Sequence, residues 1–293
     1  MDAYRTPDAH FEGLPGYGFG PHYVEQDGLR MHYLDEGSGP PVLLLHGEPT
    51  WSYLYRKIVP ELAPSARALA PDYFGFGRSD KPLVQEAYTY DFHARSIRRF
   101  VEELDLRGLT VVVQDWGGPI GLRLAVEHPD RVDRLVIMNT GVGGGRPPSE
   151  EWLRFRDWLR RLGTDVVPGR LVQLSAVQPL ADAVVAAYSA PWPMPESKAG
   201  ILAFPDLVPI SPDHPDLDAH LRVREALSRW EKPALVLFSD SDPIFSPRHA
   251  ERIAAHIPGA GKAEIVAGAG HFLQEDQGEQ IGRRIAQFVA STS

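Results

Sequence analysis

The chain has 293 residues, 43% hydrophobic and 24% charged, with a formal net charge of −9 and a pI of about 5.7. That is enough apolar material for a sizeable core, and it lacks the basic balance that a nucleic-acid surface needs. The absence of cysteine excludes disulfides, thiolate metal sites and a cysteine nucleophile. No apolar stretch approaches the ~18 residues of a membrane span. The first residues, MDAYRTPDAHFEGLPGYGFG, carry no apolar segment behind a basic start. No secretory signal is expected, and a cytoplasmic location is the default expectation.

Residues 21 to 37 read as a hairpin, with extended segments around Tyr23 and Met31–Leu34 flanking a turn at Gln26-Asp27-Gly28. Pro41–Leu45 is a short apolar run closed by His46-Gly47, the signature of a buried central strand. Leu54–Leu62 has helical character. Ala66–Ala70 is a further strand and ends in the turn-rich PDYFGFGRSDKP. Phe92–Leu104 alternates apolar and charged residues at helical spacing, as a surface helix does. Leu109–Val113 is a strongly hydrophobic strand that runs directly into Gln114-Asp115-Trp116-Gly117-Gly118. A helix from Pro119 to about His128 and a strand at Leu135–Met138 follow. Alternating strands and helices predict a mostly parallel, doubly wound sheet of the α/β class.

The alternation stops after Met138. From Gly141 to about Pro215 no strand is legible. This stretch opens with Gly143-Gly144-Gly145 and Pro147-Pro148, holds helical pieces around Glu150–Leu162 and Leu180–Tyr188, and is dense in proline after residue 190. The reading is a helical cap domain at 141–215 inserted after strand 6, within a core domain made of 1–140 and 216–293. Leu221–Trp230 is helical, Ala234–Phe238 a strand, Pro247–His256 a helix, Ala263–Val266 a last strand and Gln280–Ala290 a last helix.

The strand-to-helix turn at Val113–Gly118 has the form of a nucleophile elbow, with Gly117 and Gly118 leaving room for the backbone to turn. The residue at its apex is Asp115. A carboxylate with an ordinary pKa of ~3.9 is ionised at neutral pH and needs no base to attack. It suits displacement of a leaving group from saturated carbon, giving an ester on the protein. Water must then cleave that ester, and this step does need a base. The competing reading of Asp115 is a helix N-cap.

His271, in Ala267-Gly268-Ala269-Gly270-His271 after the last strand, is the one of 11 histidines in the right chain position for that base. The acid that orients it should follow Ala234–Phe238, where Ser239-Asp240-Ser241-Asp242-Pro243 offers Asp240 and Asp242. In a fold with such an elbow, the loop His46-Gly47-Glu48-Pro49 supplies one backbone N–H of an oxyanion hole. The donors expected are the N–H groups of Glu48 and Trp116; His46 is read as a structural loop residue.

These segments together resemble the haloalkane dehalogenase family of the α/β-hydrolase fold. HGEPTWSYLYR at 46 to 56, PDYFGFGRSDKP at 71 to 82, DWGG at 115 to 118 and GAGHFLQED at 268 to 276 carry the likeness, which spans nearly the whole chain. In that family the orienting acid lies five residues before a proline after the seventh strand, which selects Asp242 ahead of Pro247. A sister branch places a Glu after the sixth strand, whereas here Met138-Asn139-Thr140 holds no acid. The family grips departing halide with two indole N–H donors. The resemblance assigns one to Trp116 and the other to Trp158, through the Phe155-x-x-Trp158 element of the first cap helix; Trp152 is the alternative. Indole N–H is donor-only and suits an anion forming in a dry cavity.

The implied protein is a monomeric hydrolase that takes a small halogenated substrate and water and releases halide. It needs no cofactor or metal and does not engage nucleic acid or membrane. Phe155, Trp158 and Trp192 suggest a compact pocket for short substrates. An epoxide hydrolase shares the nucleophile but needs a pair of cap tyrosines, of which only Tyr188 is evident. A fluoroacetate dehalogenase carries Arg where this chain has Trp116. A hydrolase fold serving as a small-molecule receptor would show no turnover.

Overall fold

Burial on both faces sets the middle of the molecule. In the computed structural model, which describes residues 2–141 and 148–292, every side chain of Leu109–Gln114 is buried, and this segment is the fifth strand of the main sheet. The strands are β1 (His22–Gln26), β2 (Leu29–Gly37), β3 (Pro41–Leu45), β4 (Arg67–Pro71), β5 (Leu109–Gln114), β6 (Val132–Met138), β7 (Ala234–Ser239) and β8 (Glu264–Val266). Their order across the sheet is β1-β2-β4-β3-β5-β6-β7-β8. β2 runs antiparallel to both neighbours and every other pairing except β1–β2 and β2–β4 is parallel. A two-residue pairing of Ala3–Tyr4 with Lys81–Pro82, absent from the sequence reading, ties the N-terminal segment to the loop after β4.

Helices α1 (Val59–Leu62), α2 (Tyr90–Glu103) and α3 (Gly117–Glu127) connect the central strands. Between β6 and β7 lie α4 (Glu150–Leu162), α5 (Pro168–Ser175), α6 (Asp182–Ser189), α7 (Ala199–Ala203) and α8 (Leu217–Leu227). α9 (Pro247–His256) joins β7 to β8, and α10 (Leu273–Ser291) closes the chain. Right-handed crossovers lay successive helices on opposite faces wherever the strand order reverses. α1 therefore packs with α10, while α2, α3 and α8 pack in series. The reversal falls between β3 and β5, and a sheet of this kind opens a crevice outside the carboxyl ends of the strands at that point.

Local chemistry explains most boundaries. α4 starts at Ser149, whose hydroxyl accepts from the Trp152 N–H at 3.2 Å, and it carries Glu150 and Glu151 in its first turn and Arg160 and Arg161 in its last. This is the arrangement that a helix macrodipole favours. α9 starts with a Ser246–His249 capping box and Pro247 in its first turn.

The helix expected over Leu54–Leu62 is divided into a 3₁₀ turn at Ser52–Tyr55 and α1, because Pro60 has no N–H to continue a preceding helix. α10 begins seven residues before the expected Gln280. Gly278 weakens the local helical signal, yet it is needed: a Cβ there would come within 2.6 Å of Lys57 Cβ beside α1. α5, and α7 within the proline-rich stretch, were not legible. The Gly143–Gly145 and Pro147 part of the expected cap entrance lies outside the described residues.

A buried ion pair fastens α10 to the segment after β3. Arg56 donates twice to Glu275, both at 2.7 Å, with the two side chains 5% and 3% exposed. The Tyr188 hydroxyl of α6 donates to the same carboxylate at 2.6 Å. Glu275→Ala leaves the guanidinium buried and unpaired, and such truncations cost about 3–5 kcal/mol. Urea denaturation should show a loss of that size, and the apolar double replacement Arg56→Met with Glu275→Leu should recover much of it.

Candidate active site

β5 delivers Asp115 at its carboxyl end with φ of 49°, in the left-handed region. A non-glycine residue is uncommon there, and such a conformation costs on the order of 1–3 kcal/mol. Neighbours hold it in place. The Asp115 N–H donates to Asn139 O at 3.0 Å, and Asp115 O accepts from Gly118 N–H at 2.9 Å and Thr140 Oγ1 at 2.6 Å. The loop after β3 presses against the raised side chain: a Cβ on Gly47 would sit 2.4 Å from Asp115 Oδ1. Only glycine fits at that approach, which gives His46-Gly47-Glu48 a physical reason absent from the sequence reading.

The carboxylate lies between two groups. Oδ1 accepts from the Glu48 N–H at 2.9 Å, and Oδ2 is 3.5 Å from His271 Nε2. His271 Nδ1 meets Asp242 Oδ2 at 2.8 Å. Asp242 Oδ1 accepts from the N–H groups of Ile244 at 2.7 Å and Phe245 at 3.1 Å. The structure thus brings together Asp115, His271, Asp242 and Glu48 from the ends of β5, β8, β7 and β3. Asp240 turns elsewhere: it accepts from Gly268 N–H at 3.0 Å and Ala269 N–H at 3.2 Å, bracing the loop that carries His271. The Trp116 N–H has no hydrogen-bond partner among the described residues. His46 is fully buried and packs on Tyr73 with ring centroids 4.4 Å apart.

Two residues in the site had no role in the sequence reading. Gln114 Nε2 lies 3.3 Å from His271 Nε2 and donates to His271 O at 3.2 Å. Asn139 Nδ2 donates to Gly270 O at 3.0 Å, to His271 O at 3.1 Å and to Ser239 Oγ at 2.8 Å. An amide directly before the elbow and another directly after β6 were the available signals. The inserted segment also reaches the base: the His271 N–H donates to Ser175 O, at the end of α5, at 3.0 Å.

Burial pulls the His271 pKa down, but the Asp242 carboxylate, then that of Asp115, outweighs it and raises the imidazole to about 10. For Asp242, burial works against ionisation, yet the His271 charge and hydrogen bond, with the Ile244 and Phe245 N–H groups, hold it below the usual carboxylate range. Burial, reinforced by the charge of Asp115, drives the Glu48 carboxyl well above that range. A neutral Glu48 places no second negative charge beside Asp115.

Asp115 and Trp116 line a cavity of about 710 Å³ together with Pro119, Thr140, Trp152 and Phe245. Of the bulky residues expected to make the pocket compact, Phe155, Trp158 and Trp192, none lines this cavity. Trp192 is buried and spends its N–H on Gly75 O at 2.9 Å, fastening the insertion instead of narrowing the site. Trp116 packs edge-on against Phe204 with centroids 5.0 Å apart. Trp158 is half-buried beside Phe155, at 6.2 Å between centroids, and is not among the residues lining this cavity, whereas Trp152 is. No group of three or more His, Asp or Glu side chains among the described residues is arranged to hold a metal ion. No helix among them is long and apolar enough to cross a membrane.

Comparison with known proteins agrees with this geometry. The profile of the α/β-hydrolase fold matches residues 40–169. A haloalkane dehalogenase from Mycobacterium marinum is 47% identical over 298 residues, covering 97% of this chain and 99% of the relative. One from Psychrobacter cryohalolentis is 44% identical over 304 residues, covering 99% and 98%. The tetrameric haloalkane dehalogenase structure from Paraglaciecola agarilytica NO2 superposes with a TM-score of 0.90 at 32% identity, covering 100% of this chain and 98% of that one. With an elbow aspartate facing a histidine at the switch point of the sheet, and relatives alike over its whole length, this chain belongs to the haloalkane dehalogenase family, α/β-hydrolases that act on carbon–halide bonds.

Proposed function

We propose that Asp115 Oδ2 displaces halide from a saturated carbon, forming a C–O bond as the C–X bond breaks, and that His271 drives hydrolysis of the resulting ester. The observation that carries this is the placing of one carboxylate between the Glu48 N–H at 2.9 Å and His271 Nε2 at 3.5 Å. Oδ1, already hydrogen-bonded, becomes the ester carbonyl oxygen. Water attacks Cγ, passes a proton to Nε2, and puts the developing negative charge on Oδ1, opposite the Glu48 N–H. The Trp116 N–H is the second backbone donor assigned to that oxygen. The tetrahedral species then collapses, His271 returns the proton to the leaving alkoxide, and alcohol and free Asp115 result. Asp242 holds the imidazole with Nε2 toward the water and stabilises its charge.

The raised His271 pKa explains the order of the two steps. In the free protein the imidazole is paired with a charged Asp115 and stays protonated at neutral pH. Alkylation needs no base, and it also removes the charge on Asp115. The imidazole pKa then falls, His271 gives up its proton to solvent, and the neutral imidazole can take the proton of the attacking water. The Tyr188 hydroxyl is committed to Glu275, which leaves it poorly suited to the epoxide-opening acid of the alternative reaction.

The departing halide is assigned to the indole N–H of Trp116 and a second indole on α4. The family register favours Trp158. The cavity wall favours a second reading, Trp152. Residues 141–215 are assigned as the cap that excludes water, and one chain as the working unit.

His271→Phe should release about one halide per site and stop, with the alkyl group retained on Asp115 as a mass increment by intact-protein mass spectrometry; an unmodified mass after incubation with substrate refutes the order of steps. Asp115→Asn should lower the His271 pKa below about 10, read from the imidazole ¹H shift, because one of its two carboxylate partners is gone. Trp158→Phe should slow carbon–halide cleavage by about 10², the low end for loss of a donor to developing charge. Trp152→Phe should do little. Reversal of the two effects in halide-binding fluorescence titrations moves the second donor to Trp152.

A further inference from the structure

The cavity lined by Asp115 is also lined by α8 and α9, which contribute His220, Arg224, His249, Arg252 and His256 along with the apolar Ile253. Asp115 is the sole carboxylate among the described lining residues. In a chain of net charge −9 this is a marked local reversal. Exposure grows outward, from buried His220 through half-buried Arg224 to exposed Arg252. Neither arginine makes an ion pair or side-chain hydrogen bond among the described residues, unlike Arg229, which donates to Glu225 at 2.9 Å. His256 donates to the Arg224 backbone O at 2.8 Å and so joins the two helices at this wall. His249 Nδ1 accepts from the Ser246 N–H at 3.1 Å, which leaves its Nε2–H as a free donor.

We infer that this wall is a subsite for the anionic end of a substrate, and that the enzyme takes haloalkanes bearing a terminal carboxylate, with the halogenated carbon at Asp115 and the carboxylate at Arg224 and Arg252. The inference rests on the dehalogenase reading of the same site. A volume of about 710 Å³ is far more than a short haloalkane fills, and is in the range of clefts that hold drug-sized molecules. A carboxylate at the exposed end keeps part of its hydration, so it meets two cations without the desolvation cost of a buried pair. Guanidinium groups bind carboxylates with two parallel N–H donors. Buried His220, whose Nε2 is unpartnered among the described residues, adds a polar group to the lining, with burial lowering its pKa to about 4.

The test compares bromide release from 6-bromohexanoate and 1-bromohexane by the full chain and by the double variant Arg224→Gln, Arg252→Gln. Exposed ion pairs are individually weak, so two should favour the carboxylate about three- to tenfold. The double variant should lower the ratio of the two kcat/KM values by that factor. Raising ionic strength with sodium sulfate should lower the ratio in the unaltered protein and not in the variant. Equal losses on both substrates mean a role in shape alone and overturn the inference. So does a change in bromide inhibition with no change in the ratio, which would assign the cations to product release. Turnover of 1-bromohexane without 6-bromohexanoate also overturns it, while leaving the dehalogenase reading intact. No turnover of either substrate overturns that reading itself.

Discussion

The left-handed backbone at Asp115 is the constraint around which the site is built. A residue with φ of 49° persists only where its surroundings over-determine it, and three hydrogen bonds to the Asp115 backbone, from β6-end residues and from α3, do so. The conformation lifts the carboxylate clear of the sheet edge, and the missing side chain of Gly47 lets the β3 loop bring its next N–H onto Oδ1. Backbone strain, glycine and oxyanion donor are one local solution. Moving any of them by an ångström would misplace the reacting oxygen, and reaction rates are sensitive to errors of that size.

The second organising feature is a row of charge in a poorly hydrated space. Asp115, His271 and Asp242 line up as carboxylate, imidazole and carboxylate at 3.5 and 2.8 Å, and burial pushes the Glu48 carboxyl beside them well above the usual carboxylate range. Such a series is stable only if its members cannot drift. The chain supplies restraint from several directions: Asp240 and Asn139 on the loop before the base, Ser175 of the insertion on its N–H, and the Arg56–Glu275–Tyr188 cluster four residues further on. The inserted helices therefore do more than roof the cavity. Ser175 of the insertion holds the His271 N–H, while the end of β5 holds Asp115.

Much of this was legible because the relevant signals are local. β5 is recognisable as six consecutive residues buried on both faces, and the elbow follows it without a gap. The order of nucleophile, acid and histidine is a property of the chain itself. The division of labour between Asp240 and Asp242 was not readable from composition, since two aspartates two positions apart have the same intrinsic chemistry. It was reached through a family register, and the physical difference between them is their direction: one faces the N–H groups of 268 and 269, the other the imidazole.

What the sequence determined alone, then, is the α/β class, the identity of the elbow residue and the type of chemistry an ionised aspartate performs there. Tertiary structure decided everything that depends on separate segments meeting. Gln114 and Asn139 are ordinary amides until folding brings them to His271, 157 and 132 residues away. Trp192 is bulky, yet its N–H is spent on Gly75 O and it does not line the cavity. The two arginines and three histidines that line it are spread over residues 220 to 256, with no run that marks them as a group. Periodicity and turn chemistry act over a few residues and are written in the chain. Electrostatic neighbourhood and cavity shape depend on distances across the fold, which no single segment encodes.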